Sequence, residues 1–155
     1  MSKSVTRVRA ALEAAGLPAD IREPGETRTA EQAAAAVGCA PDQIVKSLIF
    51  RGEESGHVRL FLVPGGRRLS PEKAAAAAGE ALGKADAALV RAETGFAIGG
   101  VAPVGHIAPV ATWMDPRLLE FAEVWAAAGT PRHVFSAAPE ALRRVAGAVT
   151  RDVTE

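Results

Sequence analysis

The chain has 155 residues, and its 18 basic and 18 acidic side chains cancel to a formal net charge of zero at pH 7. A chain of this length forms one domain and buries roughly 70% of its unfolded surface. Apolar residues make up 48% and charged residues 23%, a balance typical of globular proteins that argues against disorder. The cancelled charge excludes a general nucleic-acid binder held by a broad basic surface. A small local site for the end of a nucleic acid remains compatible with it.

Cysteine and histidine usage limits metal and disulfide chemistry. Cys39 is the single cysteine, so an internal disulfide and a cysteine-built metal site are excluded. The three histidines, His57, His106 and His133, are scattered without the carboxylate spacing of a metal site. The sequence contains no apolar run of about 18 residues, and residues 1–7 lack the apolar core of a signal peptide. We therefore expect a cytoplasmic location without membrane association.

The first half of the chain alternates helix and strand signals. Ser4 is the expected cap of the first helix, and Thr29 with Gln32 fits a capping box for the second. Polar residues rich in glycine separate the two longest strands, which predicts a hairpin. The expected elements are a helix over 4–15, a short strand over 20–23, a helix over 29–37, a helical step from 41, and strands over 44–50 and 58–63.

The second half mixes short elements without a regular β-α-β alternation. Ser70 and Pro71 open an alanine-rich helix, as cap and first helical residue. The later elements are a strand over 87–91, a glycine-proline loop over 99–106, a strand over 110–113, a helical turn over 116–120, strands over 123–127 and 133–135, and a helix over 139–146. The pattern predicts one α/β (mixed α+β) domain over residues 1–155.

Lys46 is the first residue that indicates chemistry. In a strand it shares one face with Ile44, Leu48 and Phe50, so a cation stands among three large apolar side chains. The commoner explanation of this pattern is structural: the lysine lies at a strand edge and extends its ammonium group to water. The functional alternative is a cation at the mouth of an apolar pocket, suited to a phosphate, a ribose or a carbonyl oxygen.

The glycine-proline loop is the second candidate. Gly99 and Gly100 let the backbone approach a ligand closely with exposed N–H groups, and Pro103 stiffens the loop. An ordinary turn explains the same composition. Two small basic clusters, at 67–68 and 143–144, are either solvated or in contact with a phosphate backbone.

Three stretches of the chain occur together in a recognisable order: residues 29–34 with 44–50, residues 96–105, and residues 124–125 and 128–129 with 135–142. In content and order, they resemble the YbaK/prolyl-tRNA-synthetase-associated (ProX-like) editing domain family. The resemblance implies a curved, mixed, largely antiparallel sheet flanked by helices. It also implies a free-standing deacylase that hydrolyses wrongly charged aminoacyl-tRNA, usually tRNA for proline, without a metal or an organic cofactor.

The resemblance also implies roles for individual residues. The family's lysine falls on Lys46, where it contacts the terminal adenosine and the ester region. The family's G-x-x-x-P loop, which lies close to the scissile ester, covers Gly99 to Pro103, and the nearest candidate for a late histidine is His133. The implied site residues are Lys46, Gly99 and Gly100 as catalytic residues, and Val101, Ala102, Pro103 and His133 as substrate-binding residues.

Editing of this kind has a physical reason. A synthetase pocket distinguishes amino acids that differ by one methylene by only ~1–3 kcal/mol, so a second hydrolytic site must remove the errors. Backbone N–H groups of Gly100 and its neighbours are candidates to stabilise the oxyanion. Lys46 is a candidate to orient the substrate. The chain has no Ser-His-Asp or Cys-His set, which favours activation of the attacking water by the substrate or by the tRNA's own ribose hydroxyl.

Two positions depart from the family. Ala102 stands where many members have serine, and Ala127 stands where many have asparagine. The preferred cargo among alanine, cysteine, serine, threonine and a non-protein amino acid therefore stays open. The expected partners are the acceptor end of mischarged tRNA and, transiently, prolyl-tRNA synthetase. No DNA partner is expected, and a monomer is the default. The alternatives are a non-catalytic module that binds tRNA or a synthetase, and a small-molecule hydrolase on the same fold.

Overall fold

The structure is a computed structural model that describes residues 2–25 and 27–155. The described chain contains five helices and eight strands. The helices are α1 (Lys3–Ala14), α2 (Ala30–Val37), α3 (Pro71–Ala78), α4 (Ala87–Thr94) and α5 (Pro139–Ala146). The strands are β1 (Ile21–Arg22), β2 (Ile44–Gly52), β3 (Val58–Pro64), β4 (Leu82–Lys84), β5 (Ala111–Met114), β6 (Val124–Ala127), β7 (Val134–Ala137) and β8 (Val149–Thr150). Short 3-10 turns cover Pro41–Gln43 and Pro116–Glu120.

The strands form one mixed sheet in the order β1-β7-β6-β2-β3-β5-β8, with β4 beside β2. Among the described residues, four pairings are antiparallel (β1·β7, β2·β3, β2·β4, β6·β7) and three are parallel (β2·β6, β3·β5, β5·β8). This architecture confirms the predicted mixed α+β fold, and the predicted hairpin is the β2·β3 pair.

The strand β2 has two different neighbours on the edge that faces away from β3. The parallel pairing with β6 covers only Ile44 and Val45, and the antiparallel pairing with β4 covers Phe50–Gly52. Residues 46–49 lie between these two pairings. In the described part of the chain, they have a neighbouring strand on the β3 side alone.

Local capping explains the helix next to β2. The Thr29 side chain accepts a hydrogen bond from the Gln32 N–H at 3.1 Å, as predicted. The side-chain oxygen Oε1 of Gln32 accepts a hydrogen bond from the N–H of Arg28 at 2.8 Å, one residue earlier than in a capping box. Gly38 ends α2 in the left-handed region with φ 79°. At α1, the cap is Ser2 and not Ser4, because the Ser4 N–H donates to the Ser2 hydroxyl at 3.1 Å.

The predicted strand over residues 87–91 is wrong, because these residues form helix α4. Asp86 accepts a hydrogen bond from the Leu89 N–H at 2.8 Å, and Gly95 ends the helix with φ 83°. These two caps at the correct spacing favour a helix over an extended run of five residues. Val90 then points into the core and is fully buried. Strands β4 and β8 were not predicted.

The apolar residues form one large and two small buried clusters. The large cluster lies on the sheet face of Val45 and contains α1, Leu60, Leu62 and Phe96. The opposite face holds one small cluster around Ile44, Trp125 and the alanines of α2, and another around Phe61 and Val63. None of the described helices is long and apolar enough to span a bilayer.

Candidate active site

A cleft of about 300 Å³ lies between the start of α2, strand β2 and the end of β6. The glycine-proline loop and the turn between β6 and β7 complete its wall. The residues of this main cleft used below are Arg28, Lys46, Ser47, Gly99, Ala127, Thr130 and His133. Three of the predicted site residues, Lys46, Gly99 and His133, are thus brought together from distant parts of the chain.

Lys46 supplies a cation to the main cleft. Its half-buried side chain donates a hydrogen bond from Nζ to the backbone oxygen of Arg67 at 2.6 Å. Burial lowers the pKa of Lys46, the charge of Arg68 lowers it further, and the carboxylates of Glu31 and Asp42 act in the opposite direction. The ammonium therefore rests on a neutral acceptor, from which an incoming carbonyl or phosphate oxygen can displace it.

The glycines of the loop have different surroundings. Gly99 lines the main cleft and has φ 91°, in the region that favours glycine. Gly100 packs against the β6–β7 turn so closely that a Cβ atom would lie 2.9 Å from the Cα of Thr130. The N–H of Gly100 donates to the Ala97 oxygen at 3.0 Å, so this amide is engaged in a turn and does not point freely into the cleft.

Residues 101–103, which follow the two glycines, lie in three different surroundings. Val101 lines a second cavity of about 260 Å³ that adjoins the main cleft. Ala102 is fully buried in the large core cluster. Pro103 borders a different cavity beside His106, whose Nε2 donates to the Ala102 oxygen at 2.7 Å. Burial lowers the pKa of His106. The side chains of Ala102 and Pro103 therefore lie outside the main cleft in this structure.

His133 belongs to a short polar chain at the rim of the cleft. Its Nδ1 lies 2.6 Å from the Thr130 hydroxyl, and its Nε2 lies 3.5 Å from a carboxylate oxygen of Glu23. The Thr130 oxygen also accepts a hydrogen bond from the Arg132 N–H at 3.1 Å. These contacts orient the imidazole ring toward the cleft with a threonine on one nitrogen and a carboxylate near the other.

Two further residues of the main cleft, Thr130 and Ser47, were not singled out from the sequence. Thr130 lies in a Gly-Thr-Pro turn, three residues before His133. The only signal for it in the sequence was a hydroxyl this close to a predicted site residue. The Ser47 hydroxyl is fully buried and has no hydrogen-bond partner in the described chain. A buried polar group of this kind is uncommon in folded proteins.

The donor set of the cleft favours positioning and electrostatic stabilisation of a substrate. It offers one ammonium, backbone groups at a glycine loop, and a histidine held by a threonine. Among residues 2–25 and 27–155, no group of three or more His, Cys, Asp or Glu side chains is arranged to hold a metal ion.

Comparison with known proteins identifies the family. The family described as "Aminoacyl-tRNA editing domain" matches residues 24–145. The "Uncharacterized protein YwhH" of Bacillus subtilis (strain 168) is 32% identical over 114 residues, which cover 74% of this chain and 72% of that protein. A crystal structure of "a putative trans-editing enzyme for prolyl tRNA synthetase" superposes with a TM-score of 0.91 at 48% identity, covering 100% of this chain and 99% of that one. The "hypothetical protein APE2540" superposes with a TM-score of 0.85 at 31% identity, over 96% and 99% of the two chains. The chain belongs to the aminoacyl-tRNA editing domain family.

Proposed function

We propose that this protein is a free-standing aminoacyl-tRNA hydrolase, a single editing domain over residues 1–155. Its substrate is mischarged tRNA, foremost tRNA for proline that carries a small wrong amino acid such as alanine, cysteine, serine or threonine. The observation that carries the proposal is the convergence of Lys46, Gly99 and His133 on one cleft in a chain of the editing family. The likeness to the structure named "a putative trans-editing enzyme for prolyl tRNA synthetase" supports the choice of tRNA.

The reaction is the hydrolysis of an ester that is already activated. The oxygen of water attacks the acyl carbon, the bond between this carbon and the ribose oxygen breaks, and the ribose hydroxyl leaves with a proton. The products are the free amino acid and the uncharged tRNA. Such a reaction needs a positioned substrate and a stabilised oxyanion more than a strong nucleophile.

Lys46 has the first role in this scheme. The ammonium, held at the cleft by the Arg67 oxygen, moves to the terminal adenosine and the ester region when the substrate binds. The backbone around Gly99 approaches the ester carbonyl. Since the Gly100 N–H is bonded to Ala97, its use as an oxyanion donor requires this turn to open, whereas Gly99 lies at the cleft already.

The attacking water is activated by the substrate in this proposal, because the cleft lacks a Ser-His-Asp or Cys-His arrangement in the described residues. The ribose hydroxyl beside the ester is the nearest candidate. A tRNA that ends in 2′-deoxyadenosine should be hydrolysed much more slowly. Hydrolysis of this tRNA at the normal rate would rule out the ribose as the activating group.

The charge of the chain suits a limited contact with tRNA. A protein of zero net charge binds the acceptor end through local groups such as Lys46 and Arg28 at the cleft, without a broad basic surface. We propose that it acts as a monomer in the cytoplasm and meets prolyl-tRNA synthetase transiently.

A comparison of two lysine variants tests the proposal. The wild type, Lys46→Ala and the exposed-lysine control Lys84→Ala are incubated with tRNA for proline charged with labelled alanine, and the remaining ester is measured over time. We expect the wild type and Lys84→Ala to hydrolyse it alike, and Lys46→Ala to be slower by roughly 100-fold or more. Tight binding of the tRNA without turnover by the wild type would instead indicate a non-catalytic binding module.

A further inference from the structure

The opening in the sheet beside residues 46–49 is part of the candidate site. The second cavity, hereafter the edge cavity, is lined along one side by the consecutive β2 residues 47–50. Its other walls are Ile98, Gly99 and Val101 of the loop and Ala127 at the end of β6. Ser47, Leu48, Gly99 and Ala127 also line the main cleft, so the two cavities share a wall. The open edge of β2 therefore borders the site that binds substrate.

Alternation along β2 shows which backbone groups face this opening. The Ile44 oxygen accepts from the Gly65 N–H at 2.8 Å, and the Gly52 N–H donates to the His57 oxygen at 2.9 Å. Both residues therefore direct their backbone groups toward β3 and its turn. In an antiparallel pair the direction alternates from residue to residue. By this alternation, the backbone N–H and C=O of Leu48 point to β3, and those of Ser47 point into the opening.

The Ser47 side chain adds a second, independent observation. Its hydroxyl is buried and has no partner in the described chain, at the residue whose backbone faces the opening. Folded proteins pair nearly all such groups, and Ser47 lines both cavities, so the partner of this hydroxyl can come from a bound water or ligand. Ser47 thus combines a backbone donor and a backbone acceptor that face the opening with a buried hydroxyl that has no partner in the described chain.

We propose that the edge of β2 at Ser47 binds the aminoacyl group of the substrate as if it were one residue of an added β-strand. The proposal rests on the proposed function and names the subsite for its amino acid. In this arrangement the α-ammonium group donates to the Ser47 carbonyl, and the ester carbonyl accepts from the Ser47 N–H. Two residues that form a hydrogen-bonded pair in an antiparallel sheet make this same pair of hydrogen bonds.

The dimensions of the opening suit this occupant. Between Val45, the last β2 residue paired with β6, and Phe50, the first paired with β4, the opening spans the four β2 residues 46–49, which limits an added strand to a few residues. A longer peptide would meet β6 or β4. The Lys46 side chain lies on the face opposite that of the Ser47 side chain, because neighbouring residues of a strand alternate. The ammonium of Lys46 is thereby kept apart from the α-ammonium of the amino acid, and it is left for the oxygens of the terminal nucleotide.

The pairing explains how the site can recognise an amino acid through the atoms that all amino acids share. The Ser47 N–H is directed at the carbonyl oxygen that becomes the oxyanion, so the contact strengthens as charge develops there. The amino-acid side chain lies on the same sheet face as the Ser47 side chain.

Amide hydrogen exchange followed by NMR tests the pairing on the full chain. The ligand is 3′-deoxy-3′-(L-alanylamino)adenosine, whose amide bond resists hydrolysis. At saturation, we expect exchange of the Ser47 amide to slow by roughly 3- to 10-fold, the effect of one added hydrogen bond. Exchange of the Leu48 amide, which is bonded to β3, should not change. The 3′-propionylamino analogue, which lacks the α-ammonium group, should bind more weakly by a similar factor.

Two results would overturn the pairing. One is binding of both analogues with equal affinity and unchanged exchange at Ser47. The other is failure of the alanylamino analogue to bind although mischarged tRNA is hydrolysed, because the pairing needs only the aminoacyl end. Neither result affects the proposed hydrolase. Absence of hydrolysis with all mischarged tRNAs would overturn the proposed function itself.

Discussion

The Cα of Gly100 lies so close to Thr130 that a Cβ atom on the glycine would come within 2.9 Å of the Thr130 Cα and 3.0 Å of the Gly129 oxygen. Because the obstructing atoms are backbone atoms, they cannot rotate away as a side chain would. Glycine at this position therefore lets the glycine-proline loop pack directly on the turn that carries Thr130 and His133. The loop and the histidine become parts of one wall.

Gly100→Ala should push the glycine-proline loop away from the turn that carries Thr130 and His133. We expect the free energy of unfolding to fall by about 1–3 kcal/mol, as for other overpacked positions, and hydrolysis to fall as the loop moves away from the turn. Gly79→Ala is the matched control, because its glycine has φ 75° with open space around it and lies outside the cleft. It should lose about 1–2 kcal/mol by backbone strain and keep its activity. Equal activity of the two variants at a temperature where both are folded would contradict the packing argument.

The lowered pKa of Lys46 predicts a pH dependence. Since burial favours the neutral amine, Lys46 loses its proton at a lower pH than a free lysine does, and hydrolysis that needs the ammonium should decline above that pH. Lys46→Arg keeps its charge throughout this range, so its kcat/KM, although reduced, should show no such decline. The measurement is kcat/KM against pH, corrected for spontaneous ester hydrolysis. An identical alkaline decline in both proteins would show that another group titrates.

The Thr130 hydroxyl should act by orienting His133. Thr130→Val keeps the shape of the side chain and removes the oxygen that lies 2.6 Å from Nδ1 of His133. We expect kcat/KM for mischarged tRNA to fall by roughly 3- to 10-fold, the value of one hydrogen bond, and Thr130→Ser to restore it. In the background of His133→Ala, the valine substitution should have no further effect on kcat/KM. A full additional loss in that background would place Thr130 in another role.

The two departures from the family should have different consequences. Ala127 lines both the main cleft and the edge cavity, so Ala127→Asn narrows the site and should slow hydrolysis of threonyl-tRNA more than that of alanyl-tRNA. Ala102 is fully buried in the core. Ala102→Ser should therefore lower the stability by about 1–3 kcal/mol for an unpaired buried hydroxyl and leave the ratio of the two rates unchanged. A change in this ratio with Ala102→Ser alone would contradict the observed placement.

Glu80 predicts a pH-dependent stability outside the site. Hydrogen bonds from the Ser55 backbone and hydroxyl, from Arg59 and from the Glu54 backbone lower its pKa from 4.5 to about 2. The folded state thus favours the carboxylate, so its stabilising effect is complete above pH 4.5 and is lost as the pH falls toward 2. Glu80→Gln should be less stable than the wild type at neutral pH, and the difference should shrink through this interval. Urea unfolding at several pH values measures it, and a constant difference would contradict the role of the charge.

Local patterns were sufficient to predict most helices and the central hairpin. Thr29 and Gly38 bound α2, and the two apolar runs joined by polar glycine-rich residues pair as β2 and β3. The stretch over 87–91 was assigned to a strand because a short apolar run fits either structure. The cap at Asp86 and the left-handed Gly95 favour the helix, and both lie outside that run.

The sequence indicates candidate residues where a single residue carries the signal, and it does so less well where the direction of a side chain matters. A cation in an apolar strand and a pair of glycines are visible in the sequence, and Lys46 and Gly99 both line the main cleft. A loop composition does not show which way its side chains point, so Ala102 was expected at the substrate and lies in the core. The opening at Ser47 depends on where β6 and β4 stop along β2, and these strands come from distant parts of the chain.

The most direct test of the proposed function is a panel of tRNA for proline charged with alanine, cysteine, serine, threonine or proline, measured with wild type and Lys46→Ala side by side. We expect rapid hydrolysis of one or more of the wrongly charged tRNAs, intact prolyl-tRNA, and loss of hydrolysis in the variant. Equal hydrolysis by wild type and variant, or hydrolysis of none of the five esters by the wild type, would contradict it.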